Sequence, residues 1–150
     1  MADAPRDNET RRAIVDAISA SVRDTPLRSN PAFVALDAIL VEGTPGDVLV
    51  SFLAGEATTQ GNGVVSGGAM ANMLDSAMAV AALSQLRPGQ TCTTISLTVN
   101  MMRPAVAGRL YVRARVDRLG RRVAFAHGQL LNGDDVLLAT GSSSLAVIGE

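Results

Sequence analysis

The sequence predicts an α+β domain: an antiparallel sheet of about six strands wrapped around one long central helix, with a further helix at the N-terminus. Three observations predict it. The run from Val65 to Leu83 is apolar or small on every helical face rather than along one stripe. Such a helix is either enclosed by protein or crosses a membrane. A crossing needs roughly 20 predominantly apolar residues, and this run carries Asn72, Asp75 and Ser76, with Ser84 just beyond, so enclosure is expected and no membrane segment. Four strand-like runs joined by short turns follow it, and one hairpin pattern precedes it. Strands joined by short turns pair antiparallel. The apolar face of such a sheet must be covered, and the all-round apolar helix is the available cover.

The elements are justified in chain order. Met1 to Asn8 is polar and expected to be loose. Glu9 to Arg23 reads as a helix, with Asp7 or Asn8 as N-cap and an apolar stripe of Ile14, Ala17, Ile18 and Val22. Asp24-Thr25-Pro26 ends it, and Asn30-Pro31 marks a turn. Phe33 to Glu42 is read as a strand, Gly43 to Asp47 as a turn and Val48 to Leu53 as the returning strand, together a hairpin. Ala54 to Val64 is a glycine-rich loop into the central helix, which ends near Leu86 before Arg87-Pro88-Gly89. Thr91 to Met101 alternates Thr94, Ser96, Thr98 and Asn100 against Ile95, Leu97 and Val99. Gly108 to Leu119 alternates arginines with apolar residues. Arg122 to Asn132 and Val136 to Ile148 complete the sheet across the strong turn Asn132-Gly133-Asp134-Asp135.

The bulk numbers bound the rest. The 150 residues suit one domain, 1–150. The hydrophobic share is 47% but only 3% is aromatic, so core volume must come from Ala, Val, Leu, Ile and Met. That apolar fraction in a short chain also implies that a partner subunit covers some surface. All 13 basic residues are arginine and the net charge is −1, which leaves no basic face for nucleic acid. The single cysteine, Cys92, excludes an intrachain disulfide and a cysteine-built zinc cluster and fits a reducing, cytoplasmic compartment. No metal-ligand cluster, phosphate loop or dinucleotide fingerprint is present, so neither metal nor resident cofactor is expected.

Chemistry concentrates on the central helix. Ser66-Gly67-Gly68 opens it, where backbone N–H groups lack internal partners and the helix dipole is positive. Glycine there lets a ligand oxygen approach the bare backbone. Asp75 lies about two turns along, a carboxylate that burial would penalise without a partner. Amide donors plus an acid suit carbonyl chemistry; the competing reading is a Gly-Gly turn and a tolerated polar residue at a subunit contact.

Gly63-Val64-Val65-Ser66-Gly67-Gly68, Leu74-Asp75 and Thr93-Thr94-Ile95-Ser96-Leu97 through Arg103-Pro104-Ala105 together resemble the hot-dog acyl-CoA thioesterases, the group of the phenylacetate-pathway and 4-hydroxybenzoyl-CoA enzymes. The resemblance spans roughly Ala32 to Ile148. It implies a sheet around a helix, hydrolysis of an acyl-CoA to CoA and a carboxylic acid, and a dimer or dimer of dimers (a homotetramer) with the site between subunits. By position it implies that Gly67 polarises the thioester carbonyl and that Asp75 is nucleophile or base. Gln60, with Asn62 as alternative, places water or carbonyl, and Thr94 reaches in from the neighbouring subunit. Ser66 stands where the family has histidine; Ser66 and Gly68 complete the helix start. Of the exposed arginines, Arg121 and Arg122 at a tight turn are the expected phosphate contacts. A binding protein that does not turn over its acyl-CoA, or a hot-dog hydratase or dehydratase, are the alternatives. The latter needs a histidine, and the one present, His127, reads as a strand-face residue. Cys92 reads as structural.

Overall fold

A computed structural model describes residues 6–150; Met1 to Pro5, over half of the segment expected to be loose, lie outside the described residues. Its elements are α1 (Glu9–Ser19), β1 (Thr25–Pro26), α2 (Pro31–Ala35), β2 (Ile39–Thr44), β3 (Asp47–Ala54), α3 (Gly67–Leu83), β4 (Thr91–Met101), β5 (Gly108–Leu119), β6 (Val123–Leu131) and β7 (Leu137–Ile148), with one 3-10 turn at Glu56–Thr58. The strands form one antiparallel sheet in the order β1-β2-β3-β5-β6-β7-β4. This is the expected sheet around a central helix, with seven strands in place of six because β1 adds a two-residue edge.

The sheet's inner face and α3 make the core. Met73, Leu74, Met78 and Val80 of α3 are buried against Val50, Phe52, Val112, Leu130 and Leu145. Leu74 and Met78 of the helix pack over a cross-strand pair of glycines, Gly128 and Gly141. A Cβ on Gly128 would stand 3.3 Å from Leu74 Cδ2, and one on Gly141 3.3 Å from Met78 Cε. Both distances are tighter than ordinary packing, so these two glycines set the depth of α3 in the sheet.

Two boundaries differ from the sequence expectation, for one reason. α1 stops at Ser19 rather than Arg23. The Val22 N–H bonds the Ala17 carbonyl and the Ser21 N–H bonds that of Ile18, with Ser21 left-handed at φ 53°. This closure normally uses glycine, so a serine gave no stop signal. The strand expected over Phe33–Glu42 is instead α2 followed by β2. Asn30 caps α2 through the Ala32 N–H (3.0 Å) and Pro31 takes its first position. The same closure ends it: the Ala38 N–H bonds the Phe33 carbonyl and Asp37 sits at φ 46°. Pro45-Gly46 makes the β2–β3 hairpin, with Gly46 at φ 78°.

The N-terminal segment that is described staples α1 to the far end of α3. Asn8 caps α1, accepting from the Arg11 N–H at 3.0 Å. Arg11 is buried, donates to the Leu86 carbonyl at 2.9 Å just past α3, and pairs with Asp7 at 2.6 Å. Asp7 in turn accepts from the Gly89 N–H at 3.2 Å. A cation at the negative end of a helix is favourable, and the Arg11 guanidinium holds the Asp7 carboxyl well below the usual carboxylate range.

Candidate active site

Asp75 and Thr94 meet inside one chain. The Thr94 hydroxyl donates to Asp75 Oδ1 at 2.7 Å, whereas the resemblance placed this hydroxyl in the neighbouring subunit. A bulge in β4 explains how. The β4–β7 register shifts between Thr94 and Ser96, so Thr94 faces buried Leu145 while Ser96 faces Ser144. Without the extra residue, Thr94 would share the outer hydroxyl row of Ser96, Thr98 and Asn100, as strict alternation predicts. The bulge turns Thr94 to the helix side. Asp75 is half-buried. Cys92, also facing inward on β4, has its thiol pushed up to about 11, by burial first and by the charge of Asp75 second. It is therefore a protonated thiol at neutral pH and no nucleophile.

The start of α3 forms a second group. Ser66 is the N-cap, its Oγ accepting from the Ala69 N–H at 3.2 Å. Gly67 and Gly68 occupy the first two helical positions and are exposed, with N–H groups that have no backbone partner in the helix. A Cβ on Gly68 would touch nothing within 4 Å, and one on Gly67 only Met101 Cε at 3.7 Å. Packing does not demand these glycines; their bareness is open to a ligand. The loop before them is pinned by backbone bonds between Gln60 and Val64 and between Ser66 and Thr58. Asn62 spends its carboxamide oxygen on the Val64 N–H (3.3 Å) and so shapes the turn. The Gln60 side chain is exposed and has no hydrogen-bond partner among the described residues, which makes it the loop amide able to reach a ligand.

Arg121 and Arg122 lie elsewhere. They stand at the opposite end of α3, where with Arg87, Gln90, Val147, Gly149 and Glu150 they line a cleft of about 590 Å³. None of the three arginines has a carboxylate partner within 4 Å among the described residues. Arg87 was missed in the sequence because it reads as part of a loop; only the fold brings it beside the β5–β6 turn. Other arginines are structural: Arg109 binds Asp37, and Arg103 donates to the Leu137 carbonyl at 3.0 Å. His127 sits on the outer face of the sheet, paired with Asp117 at 2.7 Å and remote from α3. Among the described residues, no cluster of three or more His, Cys, Asp or Glu could hold a metal ion, and no helix is long and apolar enough to cross a membrane.

Residues 62–139, which carry α3, the bulged β4 and the strands behind it, match the thioesterase superfamily. The chain belongs to that superfamily. This thioesterase is 32% identical to a phenylacetic acid degradation-related protein from Ralstonia eutropha, over 78% of this chain and 90% of that one, with a TM-score of 0.74. It shares its fold with the PaaI protein of the Escherichia coli phenylacetic acid degradation operon (20% identity, 93% and 96% covered, TM-score 0.76). It also shares it with a Streptococcus mutans protein solved bound to acetyl CoA (19% identity, 74% and 88% covered, TM-score 0.67). Comparison with curated proteins gives no match. The enzyme is a thioester hydrolase.

Proposed function

We propose that this thioesterase hydrolyses acyl-CoA at a site completed by a second copy of the chain. One observation carries the proposal. Gly67 and Asp75 are eight residues apart on one straight helix, about 12 Å along its axis. A thioester carbonyl must lie roughly 3 Å from both its oxyanion donor and its attacking group. One protomer therefore cannot set its own Asp75 carboxylate directly against a carbon held by its own Gly67 N–H. The exposed edge of β4 offers the route to a second: the edge is eleven residues long, and Gly67 lies level with Met101 near its end.

In this reading the bare N–H groups at Gly67 and Gly68 of one protomer receive the thioester oxygen, and Gln60 orients it. Asp75, aimed by the Thr94 hydroxyl, comes from the other copy and acts on the carbonyl carbon. Ser66, occupied as a cap, leaves oxygen binding to the backbone amides. The unpaired Arg87, Arg121 and Arg122 receive the phosphates of CoA, and their guanidinium groups suit that geometry. The leaving group is the CoA thiol and the product a carboxylic acid.

The test is thiol release from a panel of short, medium, long and aromatic CoA esters. Asp75→Asn should lower turnover by about a thousandfold or more, on the scale seen for loss of an essential catalytic group, with an unchanged melting temperature. Turnover by Asp75→Asn at the wild-type rate overturns the assignment.

A further inference from the structure

Along α3, the residues that keep exposed or half-exposed surface are all glycine or alanine except two, Asn72 and Asp75. Asparagine is a poor choice inside a helix, since its side chain competes for backbone bonds. Asn72 does not cap or turn anything. Its Oδ1 accepts from the Ser76 hydroxyl, one turn further along, at 3.2 Å, and Ser76 is buried. That bond fixes the carboxamide. The oxygen is engaged by Ser76, and the Nδ2 donors of this exposed residue have no partner among the described residues.

Asp75 presents the complementary half. Thr94 occupies Oδ1, and Oδ2 has no partner among the described residues. Residues three apart on a helix have Cβ atoms about 5–6 Å from each other, a gap that one oxygen atom bridges with two hydrogen bonds. The open side of α3 therefore carries an unpartnered donor and an unpartnered acceptor on neighbouring side chains. A water there accepts from Asn72 Nδ2, donates to Asp75 Oδ2 and keeps a lone pair directed away from the helix.

We propose that Asn72 is a positioning residue that, with Asp75, holds the water attacking the thioester. The inference rests on the acyl-CoA hydrolase reading above and deepens it by giving Asp75 the role of base. The water oxygen bonds to the carbonyl carbon while its proton passes to Asp75 Oδ2. The carbon–sulfur bond then breaks, its electron pair leaving with sulfur, and the proton on Asp75 neutralises the thiolate. Acid and thiol are released, and no acyl group is carried on Asp75.

Two measurements test it. In a single turnover with enzyme in excess in ¹⁸O-water, the product acid should carry the label from the first turnover; an unlabelled first product, its oxygen taken from Asp75, overturns the proposal. Asn72→Ala should lower kcat by about 10- to 100-fold with KM within about twofold, the pattern of lost positioning. Ser76→Ala should lower kcat less, and adding it to Asn72→Ala should cost nothing further. Asn72→Asp sets a second carboxylate beside Asp75 and should move the acidic limb of the rate profile to higher pH. A purely structural Asn72 would lower the melting temperature and leave kcat and the pH profile in place, which overturns the proposal. An inactive Asp75→Asn beside a fully active Asn72→Ala removes this inference and leaves the hydrolase reading standing; an active Asp75→Asn removes the reading itself.

Discussion

The two edges of the sheet are built in opposite ways. β1 is two residues long, ends in Pro26, which has no N–H to offer, and is flanked by the charged Arg23, Arg28 and Glu42. Those are the devices by which a sheet ends without inviting another strand. β4 is eleven residues long and has neither a proline nor a charge. Ile95 is 59% exposed and Met101 46%, with Leu97 also exposed. A long edge without proline or charge that leaves Ile95, Leu97 and Met101 exposed is a template for pairing. The difference teaches that the molecule finishes at β1 and is left open at β4. The open side is also the side that carries Asp75, Thr94 and the glycines of α3. The proposed second copy along β4 follows from that coincidence.

After loss of the Asp75 carboxylate itself, breaking the open edge should have the largest effect. Ile95→Lys should lower thiol release by about a hundredfold and halve the mass in sedimentation, because a buried unpaired charge at an interface costs several kcal/mol. Val34→Lys, at a similarly exposed apolar position away from β4, should leave both readouts unchanged. An active, undiminished Ile95→Lys monomer would defeat the shared site.

Complementation sharpens the comparison next. Asp75→Asn and Gln60→Ala, each weak alone, should recover about a quarter of wild-type activity when refolded together, since half of randomly paired C2 dimers hold one intact site. No recovery would put both groups in one protomer. A smaller effect belongs to Thr94→Val, which keeps shape and removes the bond to Asp75. It should lower kcat about tenfold, a loss of about 1.4 kcal/mol in transition-state binding, and a thermal melt should not move.

The Asp7–Arg11 staple at the far end of α3 should respond in stability alone. Asp7→Asn should lower the melting temperature by a few degrees, the usual scale for a perturbed cap or pair, and leave turnover at 25 °C intact. The Asp7 pKa is depressed in the folded chain by Arg11. Its contribution is therefore complete above the unfolded value, near 3.9, and is lost as pH falls below it toward the folded value. Acid unfolding of the wild type should show this loss below about pH 4, and Asp7→Asn should flatten that limb.

Much of this was legible in the chain itself. α3 announced itself because nineteen consecutive residues, Val65 to Leu83, offer no polar face. The hairpin showed in the turn run around Pro45-Gly46, β5 in its two-residue alternation, and β6 and β7 in the turn Asn132-Gly133-Asp134-Asp135 that joins them. The cap Ser66 and the glycines behind it read correctly as a helix start. The illegible parts were closures that used unusual residues. Ser21 and Asp37 end helices in a conformation that glycine usually announces, so α1 is shorter than its periodicity predicts and α2 hides inside a strand-like run. Arg87 is distant in sequence from Arg121 and Arg122 and shares one cleft with them only because the β5–β6 turn lies at the far end of α3.

The sequence by itself determined what is buried: hydrophobic periodicity is local, so one enclosed helix and a sheet to enclose it follow from spacing alone. It marked, too, candidate side chains for chemistry, since a carboxylate set in an apolar helix is costly to bury without a partner. Only the tertiary structure decided which of them meet. A one-residue bulge in β4 carries Thr94 from the solvent row to Asp75, because strand side chains alternate and a single insertion reverses every face before it. That insertion leaves no mark in composition; it exists only where β4 is registered against β7.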